Sequence, residues 1–373
     1  MKDIVDNYIQ SLEPQFYNKT KLYDHLENTL ELDNEIDKYV LNLLIDDHLK
    51  NYFKNEEKYE KRRKQLKLLK NLDLPEQRSE EWYQLRRSVL TASSLASAIN
   101  KCHFQSRDEL LYSKIEETPY ESNPITEWGV KYEDVAIMFY EELYNVKVLE
   151  FGLIPHSEFK AFGASPDGIC EDTGNKDYIG RMVEIKCPPK RKFTKTVPHH
   201  YWLQVQGQLE VCNLDECDFF QVKIEEYENY EEYCKDRFII DDKEMNGRTI
   251  LNYPKGATIT YKIDDKLSYK YCNLNMSNQE LLDWIESSSQ ENLFEVKWWK
   301  IERFECTLVE RSKEWWIESI DKILDFYNDL RHYKYPENLK VLKDRIELSK
   351  KRKKRIELVP LSDFQLCSDD EDN

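Results

Sequence analysis

The segments Gly163-Ala164-Ser165-Pro166-Asp167-Gly168 and Met182-Val183-Glu184-Ile185-Lys186-Cys187 are the most informative parts of this sequence. The second has the apolar context of a central strand, where a pair of charged residues needs a reason. A period of two places Glu184 and Lys186 on one face of this strand and turns Ile185 towards the core. Asp167 precedes Glu184 by about 17 residues, the separation expected for adjacent strands. The two segments therefore predict neighbouring strands that bring Asp167 and Glu184 together.

The sequence around these segments changes from helical to strand-like spacing and back. The predicted helices cover 128–144, 201–212 and, as a closing helix, 313–333, and the predicted strands cover 146–151, 159–163, 181–187 and 218–224. Such an order predicts an α/β (α+β) fold, in which helices flank a mixed central sheet.

Composition limits the class of protein. The chain has 373 residues, with 55 Lys and Arg against 72 Asp and Glu, and a formal net charge of -17. Its apolar runs are far shorter than the ~20 residues of a membrane span, and its first residues lack the pattern of a secretory signal. Its nine cysteines are scattered and form no CxxC pair, which favours free thiols. We therefore expect an intracellular protein, cytoplasmic or nuclear, that is neither secreted nor bound to a membrane.

The paired carboxylates also predict a chemistry. Asp167 and Glu184 would converge on one hard divalent cation, Mg²⁺ or Mn²⁺, with the backbone carbonyl of Ile185 as a further ligand. Lys186 could orient or deprotonate an attacking water beside that cation, and this is the equipment for phosphodiester hydrolysis. The competing interpretation is an ordinary strand with solvated charges, since the Glu-x-Lys triplet recurs elsewhere in the chain.

Five ordered blocks resemble the YqaJ-type viral recombinases, which belong with phage lambda exonuclease to the PD-(D/E)XK nuclease superfamily. The blocks are 77–86 running into 90–93, 128–133, 163–168, 183–188 and 204–206. The resemblance implies a restriction-endonuclease-like core. It also implies that Asp167, Glu184 and the Ile185 carbonyl bind Mg²⁺, while Lys186 positions the nucleophilic water.

Further roles follow from the same resemblance. Glu133 would be an additional acidic ligand, directly or through water, and Gln204 would line the active site. Arg86, Ser93 and Ser165 match positions that hold the terminal 5′-phosphate in the lambda-type enzymes. An arginine and a serine at a helix N-terminus are suited to a phosphate. The alternatives are a surface salt bridge for Arg86, a helix cap for Ser93, a solvated residue for Glu133 and a buried-backbone partner for Gln204.

The resemblance implies a Mg²⁺-dependent DNA exonuclease that degrades one strand of a duplex from its 5′ end, for recombination, repair or viral DNA processing. Its implied partners are duplex ends with a 5′-phosphate, a single-strand annealing protein and copies of itself in a ring-like trimer. The expected parts are a helical extension (1–75), a lambda-exonuclease-like nuclease domain (76–335) and a charged C-terminal tail (336–373). The alternatives are an endonuclease or structure-specific nuclease of the same fold, and a catalytically silent scaffold.

Three other features admit two interpretations each. The basic stretches 61–70 and 350–355 could grip DNA or direct nuclear import, or could be solvated charged faces. The tryptophan pairs at 298–299 and 315–316 could stack on bases, although their apolar neighbours favour the core. The adjacent histidines at 199–200 point apart on a helix, which argues against a joint catalytic role. Because the net charge is -17, DNA binding would need a locally positive channel around Arg86.

Overall fold

The computed structural model describes residues 1–12, 17–77, 79–116, 123–190, 193–263, 266–289 and 292–357, with the side chains of the last helix described as far as Arg352. Arg78 of the first sequence block, the end of the predicted basic run at 353–355 and the part of the predicted tail from 358 onward lie outside these residues. Within the described residues, no helix is long and apolar enough to cross a membrane.

The helices and strands alternate as the sequence predicts. Helices α1–α12 span Lys2–Ser11, Lys19–Thr29, Glu35–Lys70, Glu80–Ser88, Leu95–Ala98, Arg107–Ile115, Pro124–Tyr144, His199–Cys212, Tyr230–Lys235, Asn278–Ser288, Lys313–Tyr333 and Pro336–Glu357. Strands β1–β12 span Leu90–Thr91, Val148–Leu149, Ile154–Pro155, Phe162–Ala164, Gly168–Cys170, Met182–Lys186, Glu216–Glu226, Phe238–Ile240, Lys243–Met245, Lys255–Ile263, Lys266–Tyr271 and Leu293–Glu310.

The described residues form a seven-stranded sheet in the order β11-β10-β12-β7-β6-β5-β2. Strands β6 and β7 are parallel, and the other pairs in this sheet are antiparallel. A smaller sheet has the order β1-β4-β3, and β8 pairs with β9. The predicted class, a mixed central sheet flanked by helices, is confirmed.

Helices cover both faces of the main sheet, and an apolar core lies between the sheet and the helices on each face. One core joins β6 and β7 to α5, α6, α8, α11 and α12, and another joins the sheet to α7, α9 and α10. The tryptophan pairs contribute to these cores, and Trp299 is fully buried. At Gly207, a Cβ would lie 3.0 Å from Leu95 and 3.1 Å from Ala92. The missing side chain therefore lets α8 lie close to the segment that contains Ser93.

Two predicted strands are shorter than expected. The segment predicted over 146–151 forms a strand only at Val148–Leu149, and the one predicted over 159–163 begins its strand only at Phe162 and ends at Ala164. The chain leaves the main sheet after Leu149, and Ile154–Pro155 pairs instead with Phe162–Ala164 in the smaller sheet. A pairing of two residues carries no periodicity, so the sequence gives no signal for it.

Among the described residues of the predicted helical extension, 1–75, the chain forms helices α1, α2 and α3. The first two and the beginning of α3 share a separate apolar core, which includes Val5, Ile9, Leu22, Leu41 and Ile45. The far end of α3 packs against the main domain through Leu66 and Leu69.

The basic stretch at the end of α3 forms ion pairs with acidic residues of the main domain. Glu216 forms ion pairs with Lys58 at 2.8 Å and with Arg62 at 2.7 Å, Arg63 pairs with Asp172 and Lys70 pairs with Glu171. These pairs hold α3 against the sheet. The paired basic residues therefore contact acidic residues of the same chain. We interpret them as residues that dock α3, and neither as DNA contacts nor as a solvated charged face.

The segment predicted as a charged tail begins as helix α12. Leu342 and Ile346, four residues apart, are both buried against the core. This spacing gives the helix an apolar stripe despite its high charge.

Candidate active site

Asp167 and Glu184 lie side by side, as the sequence predicts. Strands β5 and β6 are antiparallel, with Gly168 opposite Val183, so the residue before β5 meets the centre of β6. The backbone N–H of Ile185 donates to Oδ2 of Asp167 at 2.7 Å. This bond fixes the carboxylate of Asp167 at the edge of the strand that carries Glu184.

Glu184 is fully buried, yet its carboxylate is surrounded by donors. Gln204 donates to Oε1 at 2.6 Å and Gln208 donates to Oε2 at 2.7 Å. Lys186, on the same face of β6, also donates to Oε1. A buried polar group needs such partners, and here Oε1 accepts two hydrogen bonds and Oε2 accepts one.

Ionisable side chains of opposite charge lie close together in this site. Desolvation raises the pKa of Asp167 well above its usual range, and repulsion from Glu184 and Glu133 adds to this effect against the attraction of Lys186. Burial alone would lower the pKa of Lys186, but attraction to Glu184 and Asp167 outweighs it and raises that pKa. Glu184 and Glu133 therefore add negative charge around Asp167, and Lys186 is attracted to both Asp167 and Glu184.

A cleft of about 330 Å³ opens beside these residues. Its lining includes Glu133 of α7, Asp167, Lys186 and Tyr201 of α8. Helix α7 therefore brings Glu133 to the cleft, as predicted, while Glu184 lies beneath it. Gln204 also reaches the site, through its bond to Glu184.

The neighbouring carboxylate oxygens of Asp167 and Glu184 are hard ligands of the kind that suit a divalent cation. Within the described ranges, no three His, Cys, Asp or Glu side chains are arranged to hold an ion by themselves. Proteins often hold Mg²⁺ by one or two carboxylates, and the ion keeps several waters. Asp167 and Glu184 are the residues placed to supply those carboxylates.

The three residues expected to hold a phosphate also lie in one network. Arg86 donates to Oγ of Ser93 at 3.3 Å, and its guanidinium lies 4.5 Å from the ring centroid of Trp82. The indole N–H of Trp82 donates to Oγ of Ser165 at 3.1 Å. Trp82 therefore connects Arg86 to Ser165. Ser93 lies in a short 3₁₀ turn before α5, so its hydroxyl, more than a helix terminus, is the group available to a ligand.

Gln208 joins this network to the carboxylates, and sequence reasoning missed it. Its Nε2 lies 2.7 Å from Glu184 and 3.4 Å from the carbonyl of Ser165. Its Oε1 is buried and has no hydrogen-bond partner within the described residues. The signal was present, because Gln208 follows Gln204 by four residues and therefore lies on the same face of α8.

Lys114 is a second residue that the sequence did not single out. Its ammonium group donates to the backbone carbonyls of Arg86 and Val89, both at 2.6 Å. Burial, and secondarily repulsion from Arg86, lowers the pKa of Lys114 to about 8. A second cation thus lies under the predicted phosphate-binding residues.

The segment that contains both groups of residues matches a known family. Residues 81–215 match the YqaJ-like viral recombinase domain. This match confirms the resemblance predicted from the ordered blocks. Asp167, Glu184, Lys186, Glu133 and the predicted phosphate-binding residues all lie within this YqaJ-like domain.

Two viral proteins are similar to this chain. An uncharacterized protein of Acanthamoeba polyphaga mimivirus is 32% identical over 324 residues, which cover 77% of this chain and 58% of the viral protein. A protein of African swine fever virus is 28% identical over 160 residues, covering 37% of this chain and 46% of its own length. The chain thus spans about half the length of these relatives.

Two solved structures have a partial likeness to the fold. One is an alkaline exonuclease from Laribacter hongkongensis, with a TM-score of 0.42 and 20% identity, covering 72% of this chain and 100% of that one. The other is a phage-related exonuclease from Haemophilus somnus, with a TM-score of 0.34 and 14% identity, covering 68% and 96%. At TM-scores below 0.5, neither likeness bears on the activity of this chain.

Proposed function

We propose that this protein is a Mg²⁺-dependent deoxyribonuclease that degrades one strand of duplex DNA from its 5′ end. The observation that carries the proposal is the proximity of Asp167, Glu184 and Lys186: Asp167 and Lys186 line one cleft, and Lys186 donates a hydrogen bond to Glu184 beneath it. The match of residues 81–215 to a viral recombinase domain supports DNA as the substrate.

Each residue of the site has a proposed part in the hydrolysis. Asp167 and Glu184, with the Ile185 carbonyl, are the proposed metal ligands, and Glu133 would act on the metal through water. Bound Mg²⁺ (or Mn²⁺) would polarise the phosphoryl group and lower the pKa of a water. Lys186 would position that water for attack.

The two glutamines would set the geometry of this site. Gln204 and Gln208 hold the two oxygens of Glu184 from one face of α8. Because a rigid helix presents both amides, the carboxylate is fixed before metal or DNA binds. Less reorganisation is then needed during the reaction.

Arg86, Ser93 and Ser165 are the proposed site for the terminal 5′-phosphate. Arg86 offers charge-assisted hydrogen bonds to a phosphate, and the hydroxyls of the two serines can donate hydrogen bonds to it as well. Gln208 contacts both Ser165 and Glu184. A phosphate bound at Ser165 would therefore fix the position of the DNA end relative to the carboxylates. An enzyme that positions DNA ends in this way would be an exonuclease that selects phosphorylated ends.

The test compares duplexes labelled at one end, with and without a 5′-phosphate, in the presence of Mg²⁺. We expect Arg86→Ala to abolish the preference for the phosphate by raising KM for phosphorylated ends. Arg87→Ala is the matched control, because Arg87 is exposed and pairs with Glu80 at 3.1 Å; it should retain the preference. Cleavage of circular duplex as fast as linear duplex would favour an endonuclease instead. If the wild type cleaves none of these substrates with Mg²⁺ or Mn²⁺, the silent-scaffold alternative is supported.

The larger assembly follows from the same proposal. A homotrimer around the duplex and a single-strand annealing protein remain the predicted partners. So does a part in recombination, repair or viral DNA processing. Analytical ultracentrifugation of the full chain tests the trimer directly.

A further inference from the structure

Phe104 lies on the loop between α5 and α6, and 72% of its surface is exposed. A single exposed apolar side chain is ordinary, but Phe104 lies over a group of other rings. Its centroid is 3.8 Å from that of His103 and 5.3 Å from that of His200, and the two histidines are 5.1 Å apart. These three side chains form what we call the ring platform.

The ring platform is connected to the catalytic cleft. The ring of His200 lies 4.1 Å from that of Tyr201, and Tyr201 lines the cleft together with Asp167. The ammonium group of Lys186 is 5.2 Å from the centroid of the Tyr201 ring. A path of aromatic side chains therefore leads from the proposed reaction centre to an exposed ring.

On its other side, Phe104 borders a groove between α6 and α12, of about 530 Å³. The groove is lined by both apolar and charged residues: Gln105, Glu109, Tyr112, Ser113, Lys343, Ile346, Glu347 and Lys350. Lys350 pairs with Glu109 only at 3.8 Å, a distance at which an exposed pair contributes little. The basic run that starts at Lys350 continues α12 beyond the groove.

We propose that the ring platform and this groove bind single-stranded DNA. One unpaired base stacks on Phe104, and the phosphate backbone follows Lys343 and Lys350. The inference deepens the proposed function and rests on it, because degradation of one strand leaves the other strand unpaired beside the site. Aromatic rings that stack on bases, beside lysines that contact the phosphates, bind single strands without regard to sequence. In a duplex the faces of the bases are covered by their neighbours, so the platform discriminates against duplex.

The first test measures the affinity of a fluorescent oligothymidylate by anisotropy, with EDTA present so that no cleavage occurs. Phe104→Ala should weaken binding about fivefold or more, the loss typical of one stacking ring. Phe104→Trp should restore it, because the larger ring also stacks. Phe294→Ala is the matched control: Phe294 is likewise exposed, at 60%, but lies on β12. The affinity of Phe294→Ala for oligothymidylate should equal that of the wild type.

The second test concerns the groove. Lys343→Ala should weaken oligothymidylate binding and lower the slope of affinity against salt concentration by about one unit. Lys266→Ala, on the edge strand β11, removes an exposed lysine that does not line the groove and should change neither quantity.

Two results would overturn the inference. One is wild-type affinity of Phe104→Ala for oligothymidylate; the other is an equal loss of affinity for duplex, which would indicate contact with the backbone and not with a base. Because the assay contains no divalent metal, its outcome is separate from that of the cleavage assay. A cleaving enzyme with an unimportant Phe104 would refute the platform and leave the proposed activity intact.

Discussion

Nε2 of Gln208 lies 2.7 Å from Oε2 of Glu184 and 3.4 Å from the carbonyl oxygen of Ser165. One buried amide thus contacts a proposed metal ligand and a residue of the proposed phosphate site. Gln204, one turn earlier on α8, holds the other oxygen of the same carboxylate. The two proposed sites are therefore coupled through a single helix.

Gln208→Leu should destabilise the metal-free protein. The substitution removes one donor from a buried carboxylate, and such a bond to a charged group contributes about 1.5–3 kcal/mol. We expect the free energy of unfolding, measured in urea with EDTA, to fall by about 2 kcal/mol. Gln279→Leu is the control, because Gln279 donates to Asp283 at the same 2.7 Å on the surface. Its effect should stay below about 0.5 kcal/mol, and equal losses in both variants would refute this role of Gln208.

Arg62→Met should loosen the docking of α3. The Arg62 side chain is 4% exposed and lies 2.7 Å from Glu216, and breaking a buried ion pair costs about 3 kcal/mol. Lys61→Met removes an exposed partner of Asp215 at 2.9 Å and should cost less than about 1 kcal/mol. Urea unfolding at pH 7 distinguishes them. Equal values would mean that the Arg62 pair does not hold the helix.

Glu216 should make the free energy of unfolding decrease at acidic pH. Burial alone would raise its pKa, but hydrogen bonds from Lys58 and Arg62 lower the pKa to about 2. A carboxyl with a depressed pKa stabilises the fold above the pKa of the unfolded chain and loses this effect as the pH falls through its folded pKa. We therefore expect stability to decline from about pH 4.5 to pH 2. In Glu216→Gln this part of the decline should be absent; an unchanged profile would contradict the assignment.

Lys114 should make the free energy of unfolding depend on pH in the alkaline range. Its pKa is lowered to about 8, so the folded chain binds fewer protons than the unfolded chain between pH 8 and the ordinary lysine value. Stability therefore gains from Lys114 as the pH rises through this window, by about 1–3 kcal/mol. Lys255 has a pKa lowered to about 8 as well, chiefly by burial, so the comparison must be between wild type and Lys114→Met. The variant should gain less between pH 8 and 10, and identical gains would refute the prediction.

Strong local patterns made the centre of the site predictable. The period of two in β6 placed Glu184 beside Lys186, and the spacing to Asp167 placed that residue on the adjacent strand. The helical spacing of 201–212 indicated α8, although the sequence reasoning used only Gln204 and overlooked Gln208 on the same face. The class of the main sheet also followed from the order of helices and strands.

Other features depend on contacts between distant residues, which a single sequence does not display. The pairing of β3 with β4 involves two residues of β3 and has no period. The basic residues at the end of α3 have the same appearance whether they face solvent, DNA or the acidic residues near Glu216. Only the packing of α3 shows which of these they meet. Likewise, the proximity of Trp82 to Ser165 joins residues 83 positions apart.

Asp167 and Glu184 are proposed to hold the divalent cation that DNA cleavage requires, and the dependence of cleavage on Mg²⁺ and on Asp167 tests this proposal. Wild type and Asp167→Asn are incubated with a 5′-phosphorylated linear duplex, with Mg²⁺ or with EDTA, and the released nucleotides are quantified. Asparagine removes a carboxylate whose pKa is raised by desolvation and by Glu184, so the metal-free variant should be at least as stable as the wild type. We predict release from 5′ ends by the wild type only with Mg²⁺, and a rate lower by about three orders of magnitude in Asp167→Asn. Wild-type rates in a folded Asp167→Asn, or full activity in EDTA, would contradict it.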